Sequence, residues 1–111
     1  MSEQLPWVTR GIEWANAVLL DEIPASKWVR LACERFQRDL ERTDWDFEFD
    51  ADEAERWLEF IASCRHVKGK RFAGNLFEPA GWQCFATMNI YGWRHIETGS
   101  RRFTLVYIEV P

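Results

Sequence analysis

Two histidines, three cysteines and no long apolar run set the first limits on this chain. Cys33, Cys64 and Cys84 are odd in number and widely spaced, with no CxxC pair. A disulfide framework or a tetrahedral zinc site needs regular, close spacing, so neither is supported. Cys64 and His66 supply at most two metal ligands, which do not make a site; free thiols buried in a reducing cytoplasm are the expectation. His66 and His95 stand in no nucleophile pattern, since GxSxG and HExxH are both missing. A phosphate loop is missing too. Lys68-Gly69-Lys70 imitates GxxxxGK[ST], but Cys64 holds the first glycine position and Arg71 stands where Ser or Thr is required. No segment reaches the about 18 apolar residues of a membrane helix, and the N-terminus lacks a signal-peptide pattern, so a soluble cytoplasmic protein is expected.

Surplus positive charge is also lacking. A net charge of −4 excludes nucleic-acid binding as a property of overall composition. The charge is unevenly spread: Glu41 to Glu59 holds nine carboxylates against Arg42 and Arg56, and Arg65, Lys68, Lys70 and Arg71 form a short basic cluster. The middle acids lack the ordering of a calcium loop and read as solvated surface. What the chain has in excess is aromatic rings, seven Trp and eight Phe in 111 residues. Rings of this kind supply core area, interfaces and stacking platforms.

Length allows one domain with a single core. Thr9 to Leu20 suits a short helix capped by Thr9, with Ile12, Ala15 and Leu19 on one face and Pro24 ending the run. Ser26 caps a longer amphipathic helix to about Arg42, its core stripe being Trp28, Leu31, Ala32, Phe36 and Leu40, with an Arg35–Asp39 pair on the flank. The segment TDWDFEFD alternates acids and rings, fitting either a strand or a linker docked by its aromatics. Asp50, with Glu53 three residues on, opens a third helix to about Arg65 that buries Ala54, Trp57, Leu58, Ile61 and Ala62. Asp52, Glu53 and Glu55 suit the positive end of that helix. Residues 66–78 read as an extended connection. Pro79 starts a fourth helix ending near Trp93, with Trp82, Phe85, Ala86, Asn89 and Ile90 on one side. Gly99-Ser100 supplies a turn. Arg102 to Val110 is apolar on both faces, as in a central parallel strand covered on both sides. Such a strand needs partners beyond Pro111 or on another chain.

Taken together, DEIPASKWVRLACERFQRDL, FEFDADEAERWLEFIASCRHVKGKRFAGNLFEPAGWQCF, IYGW and GSRRFTLVYIEVP resemble the N-terminal region of the large subunit of tailed-phage terminases, motors that package DNA into procapsids. The pieces cover nearly the whole chain in the family's order. In that family a strand like RRFTLVYIEVP runs directly into the Walker A loop, so the chain resembles a segment truncated just before it. The resemblance implies a mainly α layer of about four helices, with a C-terminal strand that would be the first central strand of a parallel P-loop ATPase sheet. Residues 9–65 would form the helical layer, 66–78 an extended loop, and 79–111 a helix with a Trp-Gln motif followed by the strand. It implies ATP as ligand, Gln83 and Trp82 on its adenine, and no catalytic or metal-binding residue within the 111. The phosphate-cradling lysine, magnesium ligands, Walker B carboxylates and nuclease acids have no counterpart here, so this chain alone should not turn over ATP. Implied partners are the remainder of the large subunit, the terminase small subunit, the portal and, through the full motor, viral DNA in the host cytoplasm. A competing reading is a non-enzymatic, aromatic-rich interaction module. A third is a small helical DNA-binding domain using Arg65, Lys68, Lys70 and Arg71.

Overall fold

A computed structural model describes residues 5–64 and 78–107. Four helices dominate it: α1 (Pro6–Leu19), α2 (Lys27–Glu41), α3 (Ala51–Ala62) and α4 (Gly81–Gly92), with short strands β1 (Phe47–Phe49) and β2 (Trp93–His95). α4 packs against both α1 and α3, which also touch each other, while α2 packs on α1. None of the described helices is long and apolar enough to cross a membrane.

Local chemistry sets several boundaries where the sequence places them. Ser26 accepts the Val29 N–H at 3.3 Å and Asp50 accepts the Glu53 N–H at 3.0 Å, each capping its helix. Glu53 does not complete a capping box; it turns to Arg56 and Arg94 instead, because the Asp50 N–H donates to the Gly92 carbonyl at 2.7 Å. α1 begins three residues before the Thr9 cap and takes its cap from α3. The Glu55 carboxylate accepts from the Val8 and Trp7 N–H groups at 2.9 and 3.3 Å. At the other end, Asp21 adopts a left-handed φ of 61°. The Glu22 N–H then reaches the Ala17 carbonyl and the Asp21 N–H that of Val18, a Schellman closure. Arg30 of α2 donates to the Val18 and Leu19 carbonyls at 2.7 and 3.3 Å and pairs with Asp21.

The buried faces differ from the expected stripes. α2 turns Cys33, Phe36 and Asp39 inward, leaving Trp28 73% exposed and Leu31 and Leu40 outside as well. Spacing of three defines this inner row, and only Phe36 belongs to both it and the expected stripe. Asp39 consequently does not pair with Arg35, whose guanidinium lies over Phe103. α3 buries Ala54, Glu55 and Leu58; Trp57 sits at the rim, stacked on Tyr91 with ring centroids 4.3 Å apart. α4 buries Cys84, Phe85 and Met88, and starts at Gly81 rather than at Pro79, itself fully buried.

α1 and α4 meet at Gly11. A Cβ there would lie 2.9 Å from Met88 Sδ, 3.0 Å from the Phe85 nitrogen and 3.1 Å from the Cys84 carbonyl carbon. Alanine gains up to about 1 kcal/mol in helix propensity, yet overpacking costs about 1–3 kcal/mol, and two of these contacts are backbone. Gly11→Ala should therefore lower stability by about 1 kcal/mol in chemical denaturation. An unchanged or higher midpoint would show that the two helices separate freely here.

The 44–49 segment resolves the choice between strand and docked linker by being both. β1 pairs antiparallel with β2, Phe47 opposite His95 and Phe49 opposite Trp93, and its rings pack inward. β2 continues straight from α4, in a position read as helix end and loop. Gly99, at φ 74°, lets the chain turn so that Ser100 accepts the His95 N–H. No parallel sheet occurs among the described residues. Of the expected strand 102–110, residues 102–107 pair with no strand, and 108–111 lie outside the described residues. Among the described residues the run touches the two-stranded β1–β2 sheet only at its start, through the Arg94–Arg101 bridge and the Arg102 N–H bond to the Trp93 carbonyl. Leu105 and Tyr107 are 91% and 83% exposed.

Candidate functional site

The densest concentration of chemistry lies where α4 passes into β2. Trp93 ends the helix and is 2% exposed. Its indole Nε1–H donates to Asn89 Oδ1 at 3.0 Å, and Asn89 Nδ2–H donates to the Phe85 carbonyl at 2.8 Å, which fixes the ring on the last turn. Trp45 meets Trp93 edge-to-face at 5.8 Å and Phe47 at 5.4 Å. These three rings and the buried Asp39 surround one cation, Arg102.

The Arg102 guanidinium carbon lies 4.8 Å from the Trp45 ring centroid, 5.4 Å from Trp93, 5.8 Å from Phe47 and 4.7 Å from Phe103. All fall within the about 6 Å range of cation–π attraction. Nη1–H donates to Asp39 Oδ2 at 2.9 Å, with Arg102 18% and Asp39 4% exposed. The Arg102 N–H also donates to the Trp93 carbonyl at 2.9 Å. Arg42 stands 4.0 Å from Asp39 and 4.1 Å over Trp45. A pair this buried adds little net stability but strongly penalises loss of one partner. Chemically the arrangement is a receptor for a planar cation: it has carboxylate and ring faces, and no nucleophile.

The Trp82–Gln83 pair sits elsewhere, in the first turn of α4. Gln83 Oε1 accepts the Ala80 N–H at 2.8 Å, so the amide caps its own helix, and Trp82 is half-exposed. Arg10 of α1 steadies this turn by donating to the Pro79 carbonyl at 3.1 Å and pairing with Glu78 at 3.2 Å. The carbonyl oxygen of Gln83 retains a second lone pair. Gln83 and Trp93 stand at opposite ends of α4, about 15 Å apart along its axis.

Among the remaining candidates, Cys33 and Cys84 are buried, and burial pushes each thiol up to about 11, which leaves them unreactive at neutral pH. Cys64 is exposed, contrary to the expectation of buried thiols. His66, Arg65, Lys68, Lys70 and Arg71 lie outside the described residues. No group of three or more His, Cys, Asp or Glu among the described residues could hold a metal ion. Sequence reasoning passed over Asp39 and Arg102 as site residues. The available signal was Asp39 falling three residues after Phe36 and six after Cys33, a lone acid on an apolar row.

Comparison with protein-family models, curated proteins and solved structures finds no match.

Proposed function

We propose that this chain is the N-terminal segment of a terminase-type packaging ATPase, contributing the helical layer and the adenine side of an ATP site. The observation that carries this reading is the state of residues 104–107. They follow a firmly held Arg102, carry the consecutive apolar residues Leu105, Val106 and Tyr107, and are exposed without a strand partner among the described residues. That is how the first strand of a parallel sheet would look beside its helical layer alone. The order of the resembling segments supports the same assignment. In this reading the phosphate cradle comes from residues outside the 111.

The experiment uses a chain extended in frame through a GK[ST] loop. Gln83→Ala should weaken ATP by about tenfold, the worth of one or two base hydrogen bonds at about 1 kcal/mol each, and leave inorganic triphosphate nearly unchanged. Equal weakening of both ligands on a folded variant would confine Gln83 to its helix-capping role. The 111-residue chain itself should show no turnover, because phosphoryl transfer needs a positioned cation and phosphate cradle. Absence of a GK[ST] loop from the encoded sequence after Pro111 would count against the assignment as a whole.

A second reading, a protein-interaction module, draws on the exposed Trp28 and Phe60. It requires an apolar patch that binds an environment-sensitive dye, and a folded monomer that binds none would remove it.

A further inference from the structure

We propose that Asp39, Trp45, Phe47 and Trp93 form a guanidinium-binding site, occupied in cis by Arg102, that latches residues 101–107 onto the helical layer. The proposal rests on the box alone and is independent of the ATPase reading.

The receptor walls are held by contacts that do not involve the arm. Asp39 lies on the inner row of α2; Phe47 is paired opposite His95 in the β1–β2 ladder; Trp93 is tied to Asn89; Trp45 packs on Phe47 and Trp93. The box is therefore built before its ligand arrives. The arm, in contrast, has few attachments. Arg101 bridges to Arg94, the Arg102 N–H reaches Trp93, and the half-buried Phe103 packs against the core and under Arg35. From Thr104 onward the described residues are exposed. Side-chain attachment thus lies at Arg102 and Phe103, and of the two only Arg102 joins a buried carboxylate to several ring faces.

The shape of the site selects guanidinium over ammonium. Three receptor rings lie within 5.8 Å of the guanidinium carbon, and a flat, weakly hydrated cation stacks on such faces while donating in plane to a carboxylate. A lysine ammonium is a compact, strongly hydrated point charge that cannot meet both requirements. Arg102→Lys should accordingly fail as a replacement although it keeps the charge.

The test is Arg102→Ala in the full chain, followed by amide hydrogen exchange and by near-ultraviolet circular dichroism of the indoles. Exchange of the hydrogen-bonded amides of His95, Ile96, Gly99 and Arg102 should accelerate by about tenfold or more, as for loss of a charge-assisted hydrogen bond, with α1 to α4 still protected. Ethylguanidinium at low millimolar concentration, against matched sodium chloride, should restore the indole signal saturably. It should not slow exchange of the arm, because the added cation is not joined to it. The Asp39→Asn, Arg102→Ala double variant should give no response. A missing saturable response with intact helices would overturn the site. Slow exchange in Arg102→Lys, or restored slow exchange on adding ethylguanidinium, would overturn the latch. If Arg102→Ala does not fold, Asp39→Asn is measured in its place. Faster exchange confined to 95–107 would support the latch, while unchanged exchange, or helices and arm opening together in both variants, would defeat it.

Discussion

Phe36→Ala should lower the free energy of unfolding by about 3–5 kcal/mol, the range for a buried aromatic truncated to alanine. Phe36 is 2% exposed and meets Phe49, Phe85 and Trp93 edge-to-face at 5.3, 5.6 and 6.1 Å. It therefore joins α2 to β1, α4 and β2 at one point. Losing the ring removes several favourable quadrupole contacts along with the buried area. It also opens a hole whose walls belong to four separate elements, so collapse around it is difficult. With a total stability of about 5–15 kcal/mol for a domain of this kind, the variant should melt far earlier. Phe36→Leu, which keeps most of the volume, should lose markedly less. A loss under about 1 kcal/mol for Phe36→Ala in urea denaturation would mean that the ring cluster is not the organising contact.

Glu55→Ala should cost about 3 kcal/mol, because each hydrogen bond to a charged acceptor is worth about 1.5–3 kcal/mol and two N–H groups would lose theirs. Glu55 is 3% exposed. Burial raises its carboxyl above the ordinary range, opposed by the Val8 and Trp7 N–H bonds, with Glu59 adding to the rise. The charge itself is thus a net burden, while the acceptor oxygens are needed. Glu55→Gln keeps the volume and one acceptor, so it should cost less, about 1 kcal/mol. The sign of the pH dependence follows. A carboxyl whose folded pKa is raised binds more protons folded than unfolded, so its contribution is fully present below the unfolded value and is lost as pH rises through the folded one. Wild type should therefore gain stability relative to Glu55→Gln as pH is lowered from neutrality toward the ordinary Glu value of 4.5. A gap between the two that stays constant over this window would show that Glu55 titrates normally.

Some short-range signals in the sequence match the structure, while the Thr9 cap, the Arg35–Asp39 pair and the Pro79 helix start do not, because contacts from other elements displace them. The caps at Ser26 and Asp50 depend on atoms three residues away, and the turn at Gly99 depends on its own φ. Four helices emerge from such signals together with apolar periodicity. The face that α2 buries did not, because a helix with apolar residues on both flanks offers two stripes and its neighbours select one. Trp28 and Leu31 lost that selection to Cys33 and Asp39. The buried acids were harder still. Glu55 meets Val8 across 47 residues and Asp39 meets Arg102 across 63, and each acid looks like ordinary surface until its partner is in place. The Ala80 bond made by Gln83 is a local detail that residue type alone does not encode.

The borrowed cap of α1 has a kinetic meaning. One end is closed by Glu55 from α3, while the other closes locally through the Asp21 and Glu22 N–H groups with Arg30 of α2 added, so the N-terminal closure alone waits for a distant part of the chain. A free peptide covering the 14 residues of α1 is near the length at which isolated helices are marginal, and it would lack the Glu55 closure. Helicity in α1 must then arise with docking rather than before it. Closing the long loop that brings Glu55 to it is the slow part of that event. Substitutions at this end should accordingly act on the unfolding rate more than on the folding rate, the behaviour of contacts completed after the transition state.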